Sequence, residues 1–165
     1  MGFHYDINRR WSDQYLPSAK EVIAHHLLKA APDPMDLTEA TDLVAGDVRR
    51  IAFRMRRPGY AERYAHQFTI RSRLPSGTET ELTKIINGHG DWMFYGHASR
   101  DGQAIEKWML VDLRAFRAAL IRRDPHELGT GEIINVDGTA FRWFDVRSFP
   151  SSPPIVVAAS HAGMT

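Results

Sequence analysis

Residues Arg49–Arg73, RRIAFRMRRPGYAERYAHQFTIRSR, decide how this chain is read. The stretch carries eight arginines, no lysine and a single carboxylate, Glu62. Ile51, Phe53 and Met55 alternate with Ala52, Arg54 and Arg56. A period of two sends these sets to opposite faces of a strand. Pro58-Gly59 ends the run. Gln67–Arg73 then alternates again, with Phe68 and Ile70 against Gln67, Thr69, Arg71 and Arg73. The pattern predicts two neighbouring strands, over 50–57 and 67–73, whose shared polar face carries guanidinium groups. Like charges held that close repel one another. The face therefore needs anions, either internal (Glu39, Asp42, Asp47 and Glu62) or from a bound phosphate backbone. Arginine suits phosphate because its planar fork bonds bidentately.

The rest of the chain sharpens this asymmetry. Met1 to Val48 holds eight Asp/Glu against Arg9, Arg10, Lys20 and Lys29, while the whole chain nets only +1. Charge so distributed indicates a localised anion-binding surface rather than a polycation. Arginine outnumbers lysine 17 to 4. Codon bias of a GC-rich genome accounts for that as well as bidentate recognition does. At 165 residues the expectation is one domain, with a core over about 14–123 and a β-rich C-terminal extension over about 129–160. The chain contains no cysteine, which excludes disulfides, thiolate zinc sites and cysteine nucleophiles. No apolar run approaches the roughly 18 residues of a membrane span. The opening MGFHYDINRRW has no hydrophobic signal core, so a cytoplasmic location is expected.

In chain order, Gly2 to Asp13 reads as an extended aromatic and polar segment. Gln14 to Ala30 reads as a helix, with Pro17 in its first turn and Ser12 or Asp13 as its cap. APDPMD breaks it, and Thr41 to Ala45 is short and β-prone. After the two arginine strands, LPSGT leads into a helix with Thr78 and Glu81 as a capping box. Asn87-Gly88 stops it. Asp91 to Ala98 and Ile105 to Leu113 predict an antiparallel hairpin. Asp112 to Arg123 turns helical. IINV and AFRWFDV flank an Asp137-Gly138 turn, and IVVAA reads as a final edge strand. Strand runs interrupted by helices imply an α/β (α+β) fold, a mixed central sheet with flanking helices and an αβββαβ-like core.

Several groups are candidates for chemistry. Arg50, Arg54, Arg56, Gln67, Arg71 and Arg73 form the anion-binding set. Ser76 and Thr78 join it, because a helix N-terminus beside two guanidiniums is a reasonable phosphate site. Tyr60 and Tyr64 stand near enough to stack bases. No GxxxxGK[ST], GxGxxG or GxSxG occurs. Glu39 and Asp42 stand three apart, and a nuclease would use such carboxylates to hold Mg²⁺, the metal activating water. Glu79 and Glu81 suit a helix first turn on dipole grounds alone. The eight histidines show no zinc spacing.

The order of elements over Gln14 to Ala98 resembles the core of the PD-(D/E)XK nuclease-like fold. Thr41–Arg56, TDLVAGDVRRIAFRMR, looks like that family's paired strands, and Asp42 fits its first acidic position. Arg54-Met55-Arg56 stands where the family has acid-x-Lys, and Thr69-Ile70-Arg71 departs in the same way. The resemblance thus implies a nuclease-like scaffold that binds nucleic acid without efficient cleavage. TELTKIINGHGDWMFYGHA and KWMLVDLRAFRAAL also look like a group of prophage- and phage-borne proteins. The expected partner is DNA or RNA, with no membrane. The alternatives are an active Mg²⁺-dependent nuclease centred on Asp42 and Glu39, or a module that meets an acidic host protein. A homodimer stays open as an assembly.

Overall fold

The computed structural model describes residues 2–30, 43–45 and 49–161. Two units divide the chain, Met1–Arg49 and Arg50–Thr165. The first contains helices α1 (Gly2–Asp13) and α2 (Leu16–Leu27), then strands β1 (Leu28–Ala30) and β2 (Leu43–Ala45), which pair antiparallel. The N-terminal segment is therefore helical rather than extended. Ile7, Trp11 and Tyr15 recur every four residues, and the Trp11 and Tyr15 rings meet edge-on at 5.3 Å. Pro17 sits in the first turn of α2, as expected. Ser12 and Asp13 turn back onto α1, Ser12 donating to the Arg9 carbonyl and Asp13 pairing with Arg9. Leu28–Ala30 leaves the helix to join β2, a non-local partner that helical spacing does not reveal. Glu39, Asp42 and the Gly46-Asp47 turn lie outside the described residues.

The second unit holds β3 (Ile51–Arg56), β4 (Gln67–Arg73), α3 (Glu81–Ile86), β5 (Trp92–Ala98), β6 (Ile105–Asp112), α4 (Leu113–Arg122), β7 (Thr130–Ile134), β8 (Ala140–Asp145) and β9 (Val156–Ala159). They form a mixed four-stranded sheet, order β3-β5-β6-β9, and an antiparallel three-stranded sheet, order β4-β8-β7. This is an α+β fold with flanking helices. The β5–β6 hairpin and the edge position of β9 match the sequence expectation. The residues after α4 complete both sheets, since β8 pairs with β4 and β9 with β6. Among the described residues no helix is long and apolar enough to cross a membrane.

The central correction concerns the arginine strands. β3 runs parallel to β5, and β4 pairs with β8, so the two strands lie in different sheets. Likewise β2 pairs with β1, so the strand pair expected within Thr41–Arg56 is not formed. The reason lies in β4, where Phe68, Thr69 and Ile70 are all buried. Alternation normally marks a strand with one wet face. Here the polar position at Thr69 is covered too. Thr69 shares a 2.9 Å hydrogen bond with the Tyr95 hydroxyl of β5. Phe68 meets Phe116 and Phe144 at 5.4 Å each.

The core gathers Phe68, Ile70, Met93, Tyr95, Met109, Val111, Phe116 and Phe144. Register puts Ala52, Arg54 and Arg56 of β3 beside Met93, Tyr95 and His97 of β5. Their face of the sheet is thus the one that carries core residues, and the guanidiniums of β3 point inward. The opposite face stacks Phe53 on Phe94 and Phe94 on Trp108. Asp112 caps α4, accepting from the Arg114 and Ala115 amides. Thr80, not Thr78, caps α3, accepting from the Thr83 amide.

Two outcomes are expected for stability. Phe116 is fully buried and touches Phe68, Phe144 and Phe149, so Phe116→Ala should cost about 3–5 kcal/mol in denaturant unfolding. His97 is also buried, and burial with help from Arg56, His161 and Lys107 lowers its pKa from 6.5 to about 4. The unfolded chain then binds more protons between those values. Its contribution is fully present above pH 6.5 and lost as pH falls toward 4. Unfolding midpoints measured across that window should fall with acidification, and His97→Leu should flatten the slope.

Candidate anion-binding cleft

β3, β4 and α3 enclose a cleft of about 410 Å³. Ala52, Leu74, Ile85 and Leu113 give it apolar surface. Arg54, Arg71, Lys84 and His89 bring positive charge, and Glu79 and Glu81 bring negative. Arg54 enters because alternation on β3 turns it inward. Arg71 enters from β4, and the short helix α3 presents Glu81 and Lys84 three residues apart on one side.

The charges are unequally paired. Arg54 donates to Glu81, with both side chains about a quarter exposed (22% and 28%). Glu81 also accepts from the Arg71 amide at 3.4 Å. The Arg54 and Arg71 guanidiniums each sit 5.4 Å from the Phe141 ring centre, so one aromatic face steadies both. Glu79 accepts from the Asn87 side chain. Among the described residues, neither Arg71 nor Lys84 forms an ion pair, and the Arg71 Nε is buried without a hydrogen-bond partner. The cleft therefore holds two cations that form no ion pair, Arg71 resting on Phe141 and acting electrostatically on Asp137.

The other sequence candidates are dispersed. Arg50 is engaged by Asp91: its amide and Nε both donate to Oδ2, at 2.8 and 3.2 Å. Asp91 returns its own amide to the Arg50 carbonyl, which clips the starts of β3 and β5. That partner holds the Arg50 pKa above its usual value. Arg73 pairs with Glu132 at 3.5 Å. Gln67 lies at the far end of β4, opposite Asp145. Arg56 turns to Tyr60, Tyr64 and Thr69. Ser76 and Thr78 bond one another in an exposed turn ahead of α3, so they do not form its N-terminus. Sequence reading missed Lys84 and His89. The Glu81–Lys84 spacing on a helix just after Arg71 and Arg73 was the available signal.

Mg²⁺ does not fit the described residues. No group of three His, Asp or Glu among them could hold a metal ion. Of the two cleft carboxylates, Glu81 is bound to a guanidinium, and its cationic neighbours repel a divalent ion. The assignment to Asp42 and Glu39 lies outside the described residues. No family model, curated protein or solved structure matches the chain.

Removing the carboxylate should leave Arg54 half-buried without its partner. Glu81→Gln is expected to lower stability by about 1–2 kcal/mol, a value reduced from that of a buried pair because solvent screens this one. Thermal or urea unfolding checks it, and an unchanged midpoint would show that the pair contributes nothing.

Proposed function

We propose that the chain binds nucleic acid, seating a backbone phosphate in the cleft between Arg71 and Lys84, without cleaving it efficiently. The observation that carries this reading is the pair of cations that line the cleft and form no ion pair among the described residues. A phosphate supplies the acceptor and the charge that both lack. The wider charge distribution supports it, since residues 50–165 hold sixteen Lys/Arg against twelve Asp/Glu. Steering by such a surface concentrates polyanions near the cleft. Binding without efficient cleavage agrees with the donor set, in which Glu81 neutralises Arg54 instead of a metal. A phage-borne origin belongs to the same proposal and rests on the resemblance of the TELTKIINGHGDWMFYGHA stretch, since the strand pair behind the nuclease-like resemblance of Thr41–Arg56 is not formed.

Fluorescence anisotropy with labelled single- and double-stranded oligonucleotides tests the reading. Affinity should fall steeply with salt. Arg71→Ala and Lys84→Ala should each reduce the log–log salt slope by about one and weaken all sequences alike. Arg122→Ala, at the end of α4, should have little effect. Absence of binding at low ionic strength, or binding indifferent to both cleft substitutions, overturns it.

A further inference from the structure

The cleft between β3, β4 and α3 is larger and more varied than a backbone phosphate requires. Its volume of about 410 Å³ falls in the range of pockets that take small organic molecules. Its lining carries three cations, Arg54, Arg71 and Lys84, against two carboxylates, Glu79 and Glu81. Ala52 and Leu74, both half-buried, add apolar surface. A phosphate alone would use the cations, leave the apolar wall in contact with water and stand near two like charges. A ligand that fits all three kinds of surface carries an anionic group, an apolar body and an N–H donor.

The carboxylates fix where that donor goes. Glu79 Oε1 accepts from the Asn87 side chain at 3.2 Å. Glu81 accepts from the Arg54 guanidinium and from the Arg71 amide, and both bonds end on its Oε2. The Glu81 side chain lines the cleft and is 28% exposed, so its Oε1 stands open to a ligand. A carboxylate accepts from the exocyclic amine of cytosine. At the same ring position thymine and uracil carry a carbonyl oxygen, a second acceptor that a carboxylate repels. Arg71 and Lys84, which form no ion pair among the described residues, remain for a phosphate. A base within a duplex is stacked and paired, and it reaches such a wall only when unpaired or flipped out.

We infer that the cleft takes one whole unpaired nucleotide, its phosphate on Arg71 and Lys84, its base against Ala52 and Leu74, and its exocyclic amine on Glu81. This rests on the phosphate-binding reading of the cleft and makes Glu81 the residue that selects the base. Single strands are then preferred to duplexes, and amino-bearing bases to uracil or thymine. The same chemistry is offered by an unpaired nucleotide within a strand and by a free nucleoside monophosphate.

The test is fluorescence anisotropy on the full chain with labelled oligodeoxycytidine, oligodeoxyuridine, an abasic backbone of equal length and a duplex. At matched salt the dC strand should bind at least about fivefold more tightly than each of the others. The dC and dU rings match in size and differ at the amine, so their ratio reads the Glu81 contact. Glu81→Gln, whose amide offers a donor as well as an acceptor, should bring that ratio toward one, with circular dichroism checking that the variant is folded. Leu74→Asn should weaken the dC strand toward the abasic level. Competition by cytidine monophosphate, at concentrations where inorganic phosphate has no effect, identifies a free nucleotide as the source. Its failure to compete, with the dC preference intact, identifies a nucleotide within a strand. A dC strand bound no more tightly than the dU or abasic strand, with the salt slope still lowered by Arg71→Ala, overturns the inference and spares the phosphate reading. Binding to none of the four overturns both.

Discussion

A guanidinium turned inward between packed strands must find acceptors or π faces, because desolvating it without them is costly. Much of the second unit answers that constraint. β3 and β4 belong to different sheets, yet Arg54, Arg56 and Arg71 all lie where those sheets approach. Arg54 is met by Glu81 and Phe141, Arg56 by Tyr60, and Arg71 by Phe141. The Tyr95–Thr69 hydrogen bond ties the sheets together between these groups. Burial pushes the Tyr95 phenol above its usual range, so it stays neutral there.

The constraint is met unevenly. Arg54 is satisfied internally. Arg71, Lys84, Arg56 and Lys107 lack carboxylate partners among the described residues, and several buried nitrogens near them lack acceptors. Unmade hydrogen bonds of this kind are uncommon in protein interiors. Arg50 and Arg73 show the contrast. Each has found a carboxylate, and each serves the architecture.

Elements whose logic is local were legible in the chain. WMFYGHA and IEKWMLVD announce a hairpin by apolar content and a polar turn. Asp112 announces a helix start, and Pro17 a first turn. The arginine alternation did mark two strands with inward and outward sets. Gly2–Asp13 was misread because its aromatic content outweighed the four-residue recurrence of Ile7 and Trp11. The cap of α3 was misplaced by two residues, since Thr78 and Thr80 both precede a suitable donor and only the backbone path chooses between them.

By itself the sequence determined most strands, most helices, the α+β class and the concentration of arginine on two strands, because each follows from short-range periodicity and turn chemistry. Tertiary structure alone decided that β3 pairs with β5 and β4 with β8, and so whether the guanidiniums form one open face or line a cleft and a buried row. Pairing partners are long-range choices made by burial. Alternation states which side chains share a face and is silent on what that face meets. That choice brought Lys84 into the cleft and set His97 between Arg56 and Lys107.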